Sequence, residues 1–119
     1  MKITVEHANR DRQTGNVVNY TPVAEVKIPV EISAFGTTND CLEYAYRWTN
    51  NIEGSWSIKK TSFTLKDGNS IANGDYNNEV TALKHREDGL GQRSSMMGDR
   101  FIADGVSYDC SPFGFKKSV

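Results

Sequence analysis

The segment DRFIADGVSYDC, from Asp99 to Cys110, limits the possible fold more than any other part of this chain. At its centre lies the pair Asp104–Gly105. A two-residue type I′ turn needs positive φ at both central positions, which these two residue types tolerate. Apolar and polar residues alternate on either side of the pair. The segment therefore predicts a β-hairpin, with an inward face made of Phe101, Ala103, Val106, Tyr108 and Cys110.

The residues that flank this hairpin continue the pattern. After it, SPFGFKK predicts a bend and a last short strand, with Phe113 and Phe115 pointing to the same side. Before it, Ser94 or Ser95 is placed to cap a short turn through SMMGD. Asp99 is suited to accept hydrogen bonds from neighbouring backbone amides and so to fix the turn into the hairpin.

A second hairpin is predicted at the N-terminal end. In KITVEHA, Ile3 and Val5 alternate with polar residues, which is typical of a strand. VAEVKIPVEISAF predicts a partner strand, and Pro29 on its polar side indicates an edge or a bulge there. The apolar face of that strand would hold four alternate residues: Val26, Ile28, Val30 and Ile32.

One strong helix is predicted over residues 40–52. Asp40 is a suitable N-cap, and Glu43 three residues later would complete a capping box. The apolar side chains of this segment cover a broad arc, so we expect the helix to pack across a sheet. Downstream, SWSIKKTSFTLKDG predicts one or two strands, Asn73–Gly74 a turn and VTALKH a short strand.

These elements predict an α+β protein with a bent, mostly antiparallel β-sheet packed on one main α-helix and a C-terminal β-hairpin. The length of 119 residues suits a single domain, and 37% apolar residues are enough for one modest core. We therefore expect one domain over residues 1–119.

Charge composition limits the classes of partner. The chain has 14 basic and 15 acidic residues and a pI of about 6.1. A nucleic-acid-binding domain usually has a high pI, and a mimic of DNA would need a large acidic excess. The overall charge therefore favours neither class of protein, although it is compatible with a local basic patch.

The cysteines and the absence of long apolar segments predict a cytoplasmic protein. Cys41 and Cys110 are far apart in sequence and are expected to be reduced, buried side chains. No apolar run approaches the length of a membrane span, and the first residues lack the apolar run of a signal peptide. We therefore expect no membrane association.

Residues that carry catalysis or bind metals do not form a recognisable pattern. His7 and His85 have no partner at a meaningful spacing and are expected to be surface or satisfied residues. The chain lacks a phosphate-binding Gly-Lys-Ser/Thr motif, and the polar segment DGNSIANGDYNNE departs from the ligand order of a Ca²⁺ loop. We therefore predict a protein that is not an enzyme and that needs no metal or cofactor.

Aromatic residues near the helix give the first candidate binding residues. Trp48 and Trp56 lie close in sequence to Arg47. Exposed rings beside cations would suit base stacking or a protein interface. The helical spacing of the aromatics, however, favours a place in the core.

The C-terminal segment GQRSSMMGDRFIADGVSYDCSPFGFKK resembles the ending of small phage and mobile-element proteins of unknown function, and YodL-like domains carry a related ending. Those proteins share a loose Arg-Ser-x-Ser-x-Gly-Asp motif, followed by two strands, a Tyr and a Gly-Phe. The positions that match are Arg93, Ser94, Gly98, Asp99, Tyr108, Gly114 and Phe115, whereas Met96 replaces a frequent Ser. The upstream helix is also similar, so the resemblance extends from Asp40 onward.

The resemblance implies a phage origin and a small α+β domain, and it supplies no catalytic residues. Physical reasoning gives most of the motif a structural role, with the glycines serving backbone geometry. Arg93, Ser94 and Asp99 remain candidates for a surface that a partner or ligand touches, because polar loop residues often carry function.

Two functions follow as hypotheses. The first is a small phage accessory protein that binds and inhibits or modulates a host or anti-phage defence protein, without catalysis, in the cytoplasm of the infected cell. It would use Trp48 or Trp56 and the loops at 67–78 and 86–95.

The second hypothesis is a nucleic-acid-binding or nucleotide-binding module of phage replication or regulation. It would use the tyrosines with a patch of cations: Arg10, Arg12, Arg47, Lys59, Lys60, Arg86 and Arg93. It predicts binding that weakens with salt.

Overall fold

The computed structural model describes residues 1–118 and contains two helices and eight strands. The strands are β1 (Lys2–Arg10), β2 (Val17–Lys27), β3 (Ser62–Thr64), β4 (Ser70–Ala72), β5 (Val80–Ala82), β6 (Arg100–Ala103), β7 (Val106–Ser111) and β8 (Gly114–Lys117). Six of them form one antiparallel sheet in the order β5-β2-β1-β6-β7-β8, and β3 and β4 form a separate pair. The α+β class with a mostly antiparallel sheet is thus confirmed.

The N-terminal hairpin forms as predicted, with β1 antiparallel to β2 and Ile3 opposite Val26. The second strand, however, begins earlier in the chain than the predicted segment 23–35, at Val17. It ends at Lys27, and Pro29 precedes helix α1 (Val30–Phe35). Proline has no N–H and a fixed φ, which suits it to a helix start and prevents a continued ladder. Val30 is therefore 68% exposed instead of lying on a strand's apolar face.

Helix α2 (Thr38–Trp48) is the predicted helix, but its bounds and its cap differ from the prediction. Thr37 is the N-cap: its hydroxyl accepts from the amide of Asp40, whose carboxylate accepts from the amide of Thr37. This reciprocal pair starts the helix earlier than an Asp40 cap with Glu43 would. The helix ends before Thr49, whose hydroxyl donates to the Ala45 carbonyl.

The core lies between α2 and the face of the sheet that it covers. That face carries the alternate residues of β1 and of its neighbours, and Trp56 from the segment after α2 closes the core. Cys41 and Cys110 are buried free thiols in this core, as predicted, and burial raises the pKa of both. The fully buried apolar side chains include Ile3, Val5, Val26, Leu42, Trp56 and Phe101.

The C-terminal hairpin has the predicted turn, with φ of +50° at Asp104 and +78° at Gly105. Val106, which was expected on the same inward face, is 38% exposed, whereas Phe101, Ala103 and Cys110 are buried as expected. Phe113 is not, because it lies at the tip of the β7–β8 turn and is 94% exposed, whereas Phe115 packs on Phe101. The prediction that both phenylalanines point to one side was wrong, since alternation does not continue through a turn.

The other face of the sheet is polar. Lys2 pairs with Glu25, and Arg100 lies 4.0 Å from the ring centre of Tyr20. Among residues 1–118, no helix has both the length and the apolar character needed to span a membrane.

Candidate functional site

The motif RSSMMGD forms a closed loop around Asp99, which is fully buried. Arg93 donates to both carboxylate oxygens, and the amides of Ala8 and Met96 donate to one oxygen each, all at 2.8 Å. Burial alone would raise the pKa of Asp99, but these hydrogen bonds and the nearby His7 outweigh it, so the pKa is lowered. Asp99 is therefore an ionised anchor that joins β1 to the loop before β6.

Most donor capacity of Arg93 is used inside the protein. Nη1 also donates to the Ser94 carbonyl and Nη2 to the Ala8 carbonyl, in addition to the two bonds with Asp99. Gly98 adopts a φ of +94°, as a glycine in a tight turn can. Arg93 and Asp99 thus hold the loop, which supports the structural interpretation of the motif.

The serines of the motif do not cap the turn through residues 95–99; Asp99 does, through the Met96 amide. Ser94 instead accepts from the amide of Asn51, just beyond α2. Ser95 is buried and contacts Thr49 and His7. The prediction of a serine cap was wrong because a carboxylate that is already held by Arg93 is the stronger acceptor.

A chain of hydrogen bonds fixes the protonation of His7, which is 4% exposed. We assign the single proton of Thr49 to the Ala45 carbonyl at 2.8 Å, which makes Ser95 the donor to Thr49 across 2.7 Å. Ser95 can then only accept from His7 Nε2, at 3.1 Å. Asp99 lies 3.8 Å from the same nitrogen and favours a proton there as well. His7 is therefore the Nε2–H tautomer.

The ring of His7 is neutral near pH 7. Its pKa is lowered from 6.5 to about 4, and burial is the largest cause. The attraction of Asp99 opposes this effect, whereas the repulsion of Arg93 adds to it. Nδ1 has no hydrogen-bond partner among residues 1–118. Because every fully buried side-chain nitrogen in these residues has a partner, Nδ1 is not fully buried. Nδ1 therefore reaches the cleft that His7 lines, as a hydrogen-bond acceptor.

Ser95, His7 and Asp99 do not form a catalytic triad, although the residue types match one. In a triad the serine and the carboxylate bind opposite ring nitrogens, whereas here both face Nε2. Ser95 is also buried and cannot reach a substrate. The cluster supports structure and leaves the Nδ1 edge of His7 accessible.

This edge opens into a cleft of about 730 Å³, which we call the main cleft. Strands β1 and β2 form its floor, and the segment after β5 forms its wall. The floor consists of His7, Ala8, Asn9, Thr21 and Val23, and the wall of residues 84–88 with Gln92 and Arg93.

Hydrogen bonds to other parts of the chain position the wall. The amide of Leu83 donates to the Val23 carbonyl, which brings the next residues beside the floor. Gln92 ties the two ends of the segment together: its side chain donates to the Lys84 carbonyl, and its amide donates to Ser57. Arg86 pairs with Asp88 at 2.6 Å on the exposed side of this segment.

A second depression of about 280 Å³, the side cleft, lies on the other side of the wall. Lys84, His85, Arg86 and Gln92 line both clefts, and Lys59 and Lys60 join them in the side cleft. Together the two clefts present five cationic side chains, of which Arg86 is paired with Asp88 and Arg93 with Asp99, and the other three are Lys59, Lys60 and Lys84. A protein of net charge −1 therefore concentrates positive charge here.

The other candidate residues lie outside both clefts. Trp56 is fully buried, donates from Nε1 to the Arg93 carbonyl and is unavailable as a contact surface. Trp48 is half-buried, with Arg47 stacked 4.1 Å from its ring centre. Arg47 also pairs with buried Asp75 at 3.2 Å.

Asp75 lies in the polar segment that was compared with a Ca²⁺ loop. Its carboxylate accepts from the amides of Ile52 and Glu53, both at 2.8 Å, so it holds the chain after α2. Oxygens that already accept from amides are poor cation ligands. Within residues 1–118, no three His, Cys, Asp or Glu side chains are grouped to hold a metal ion.

Of the predicted cationic patch, Arg86 and Arg93 line the main cleft and Lys59 and Lys60 the side cleft, whereas Arg10, Arg12 and Arg47 line neither. Lys84 and the role of His7 were not predicted. The signal for His7 was present, because it continues the inward register of Ile3 and Val5. Lys84 carries no such local signal, and its place depends on the pairing of β5 with β2.

Comparisons with family models, with curated proteins and with solved structures find no match for this chain. The resemblance of its ending to phage proteins therefore stays a prediction.

Proposed function

We propose that this protein binds a phosphate-bearing ligand of the nucleotide or nucleic-acid class and acts by binding, without catalysis. The concentration of cations around the two clefts is the observation that carries the proposal. Lys84 and Arg86 are exposed and line both clefts, so one anionic group could contact both side chains.

The dimensions of the main cleft support a small ligand. Its volume of about 730 Å³ lies in the range of sites that enclose small molecules. The side cleft, with Lys59 and Lys60, would hold a second phosphate or the next nucleotide of a strand. Burial lowers the pKa of Lys59, whose Nζ donates to the Asn77 carbonyl, so Lys60 is the freer cation of the two.

A thermal-shift panel tests the proposal. Inorganic phosphate, nucleoside monophosphates to triphosphates and short single-stranded oligonucleotides are each added at low and at high salt. We expect at least one phosphate ligand to raise the melting temperature at low salt, and salt to reduce the shift. No shift with any ligand at low salt would contradict the proposal. Unphosphorylated nucleosides serve as matched controls.

The resemblance to phage proteins supports an action in the cytoplasm of an infected cell, in phage replication or regulation or in the removal of a nucleotide signal. Detection of the protein in infected cells by mass spectrometry, and its absence from uninfected ones, would test this setting.

A second candidate function is the binding and inhibition of a host or anti-phage defence protein. This candidate is supported by Phe113, which is almost fully exposed at the β7–β8 turn, and not by the tryptophans. A groove of about 450 Å³ lies beside this turn and includes Tyr46, Met97 and Phe115. Affinity capture from host lysate with the wild type and with Phe113→Ser would test it: a partner recovered equally by both, or by neither, would count against this surface.

A further inference from the structure

The floor and the wall of the main cleft differ in chemistry, and the difference orients a ligand. Ala8 and the small exposed part of Val23 give the floor apolar surface beside the polar side chains of Asn9 and Thr21, and the polar atom that His7 offers there is the bare Nδ1. The cations Lys84 and Arg86 are on the wall, which is exposed. A ligand that satisfies both surfaces has a flat, partly apolar end with a hydrogen-bond donor and an anionic end.

The acceptor character of the floor is fixed by buried groups and does not depend on the ligand. Thr49 and Ser95 direct the only ring proton of neutral His7 to Nε2, and Asp99 reinforces this tautomer. A neutral imidazole nitrogen without a proton accepts one hydrogen bond and donates none. The group that meets it therefore has to be an N–H or O–H donor, because an acceptor at this point would be left unpaired at a cost.

We propose that the main cleft recognises a nucleoside monophosphate whose base donates its exocyclic amino group to His7 Nδ1 while Lys84 and Arg86 bind the phosphate. This inference rests on the proposed function, because it names the ligand and the specificity-determining residue of the same site. His7 acts here as a binding residue, and the ring transfers no proton.

Calorimetric titration with two matched ligands tests the inference without altering the protein. Adenosine 5′-monophosphate carries the amino group, and purine riboside 5′-monophosphate lacks it and is otherwise the same. We expect the loss of one hydrogen bond to weaken binding about five- to tenfold. Inorganic phosphate is the third titrant and reports the anion site alone.

Nitrogen NMR of His7 gives an independent measurement. We expect the free protein to show a protonated Nε2 and an unprotonated Nδ1 at neutral pH, and the Nδ1 resonance to shift when adenosine 5′-monophosphate binds. His85, on the wall between Lys84 and Arg86, should respond to the phosphate of either nucleotide, whereas purine riboside 5′-monophosphate should leave His7 Nδ1 nearly unmoved.

The outcomes separate this inference from the broader proposal. Equal affinities for the two nucleotides with an unmoved Nδ1, or binding of inorganic phosphate alone, would overturn the role of His7 and leave a phosphate-binding cleft. No binding of any titrant at low salt would overturn both. Weaker binding of the ligand without the amino group, together with the Nδ1 shift, would support the inference.

Discussion

Arg93 and Asp99 form a two-point ion pair, with both guanidinium-to-carboxylate distances at 2.8 Å and the carboxylate fully buried. They are six positions apart in sequence, yet the pair closes the loop before β6 and also holds the amide and carbonyl of Ala8 on β1. The loop and the strand that supplies His7 are thus fixed to each other. This pair positions the floor of the main cleft even though its two charges largely neutralise each other.

Removing the charge of Asp99 should destabilise the fold. Asp99→Asn leaves a buried amide where four donors meet, so we expect a loss of about 3 kcal/mol in the free energy of unfolding, measured by urea denaturation. Glu25→Gln breaks an exposed pair with Lys2 and should cost less than about 0.5 kcal/mol. Equal costs for the two substitutions would contradict the anchoring role of Asp99.

The low pKa of His7 should make stability fall with acidity. The unfolded chain takes up a proton on His7 below pH 6.5, whereas the folded protein does so only near pH 4. Stability from this group is therefore complete above pH 6.5 and is lost as the pH falls to about 4, by roughly 3 kcal/mol. The contribution of Asp99, whose pKa is also lowered, disappears at still lower pH.

The change in stability with pH can be measured by urea denaturation between neutral pH and a pH of about 5, where few carboxylates titrate. His85→Gln should keep this pH dependence, and His7→Gln, if it folds, should lose most of it. If the pH dependence disappeared in His85→Gln, it would come from His85 and not from His7.

The two tryptophans should differ in solvent access. Trp56 is fully buried and Trp48 is half-buried. We expect iodide to quench the fluorescence of Trp48 and to leave that of Trp56 nearly unchanged, which Trp48→Phe and Trp56→Phe separate. Trp56→Phe should also cost about 2 kcal/mol, because the Arg93 carbonyl loses its donor and a cavity opens. Strong iodide quenching in Trp48→Phe would contradict the buried position of Trp56.

The cap of α2 can be tested with two single substitutions. Thr37→Ala removes the hydroxyl that accepts from the Asp40 amide and should cost about 1 kcal/mol in urea denaturation. Glu43→Gln, at an exposed position of the helix, should be nearly neutral. A larger cost at Glu43 than at Thr37 would favour the cap that the sequence pattern suggested.

Local patterns predicted the parts of the fold whose causes are local. The turn at Asp104–Gly105 depends on the conformational freedom of two adjacent residues, and the inward position of Ile3 and Val5 depends on alternation. Alternation misplaced Val30, because Pro29 stops the ladder and starts a helix. It misplaced Phe113 because a turn interrupts the strand period.

The candidate site was less accessible to sequence reasoning because it is assembled by tertiary pairing. Lys84 reaches the cleft only because β5 pairs with β2 and Leu83 extends that contact to Val23. Arg93 was identified from its motif, but its hydrogen-bond partners, and so its limited freedom to bind a ligand, depend on a strand 85 residues away. The net charge of the chain did not indicate this cluster of cationic side chains, because acidic residues elsewhere balance it.

The most direct test of the account is the affinity of adenosine 5′-monophosphate, measured by calorimetry at low salt, for two charge-reversed variants. Lys84→Glu/Arg86→Glu alters the shared wall of the clefts, and Lys116→Glu/Lys117→Glu makes the same change of charge on exposed strand β8. We predict a loss of at least about tenfold, or roughly 1.4 kcal/mol, for the wall variant and less than about twofold for the β8 variant. Equal losses in both variants, or unchanged affinity in the wall variant, would contradict a ligand site in the main cleft.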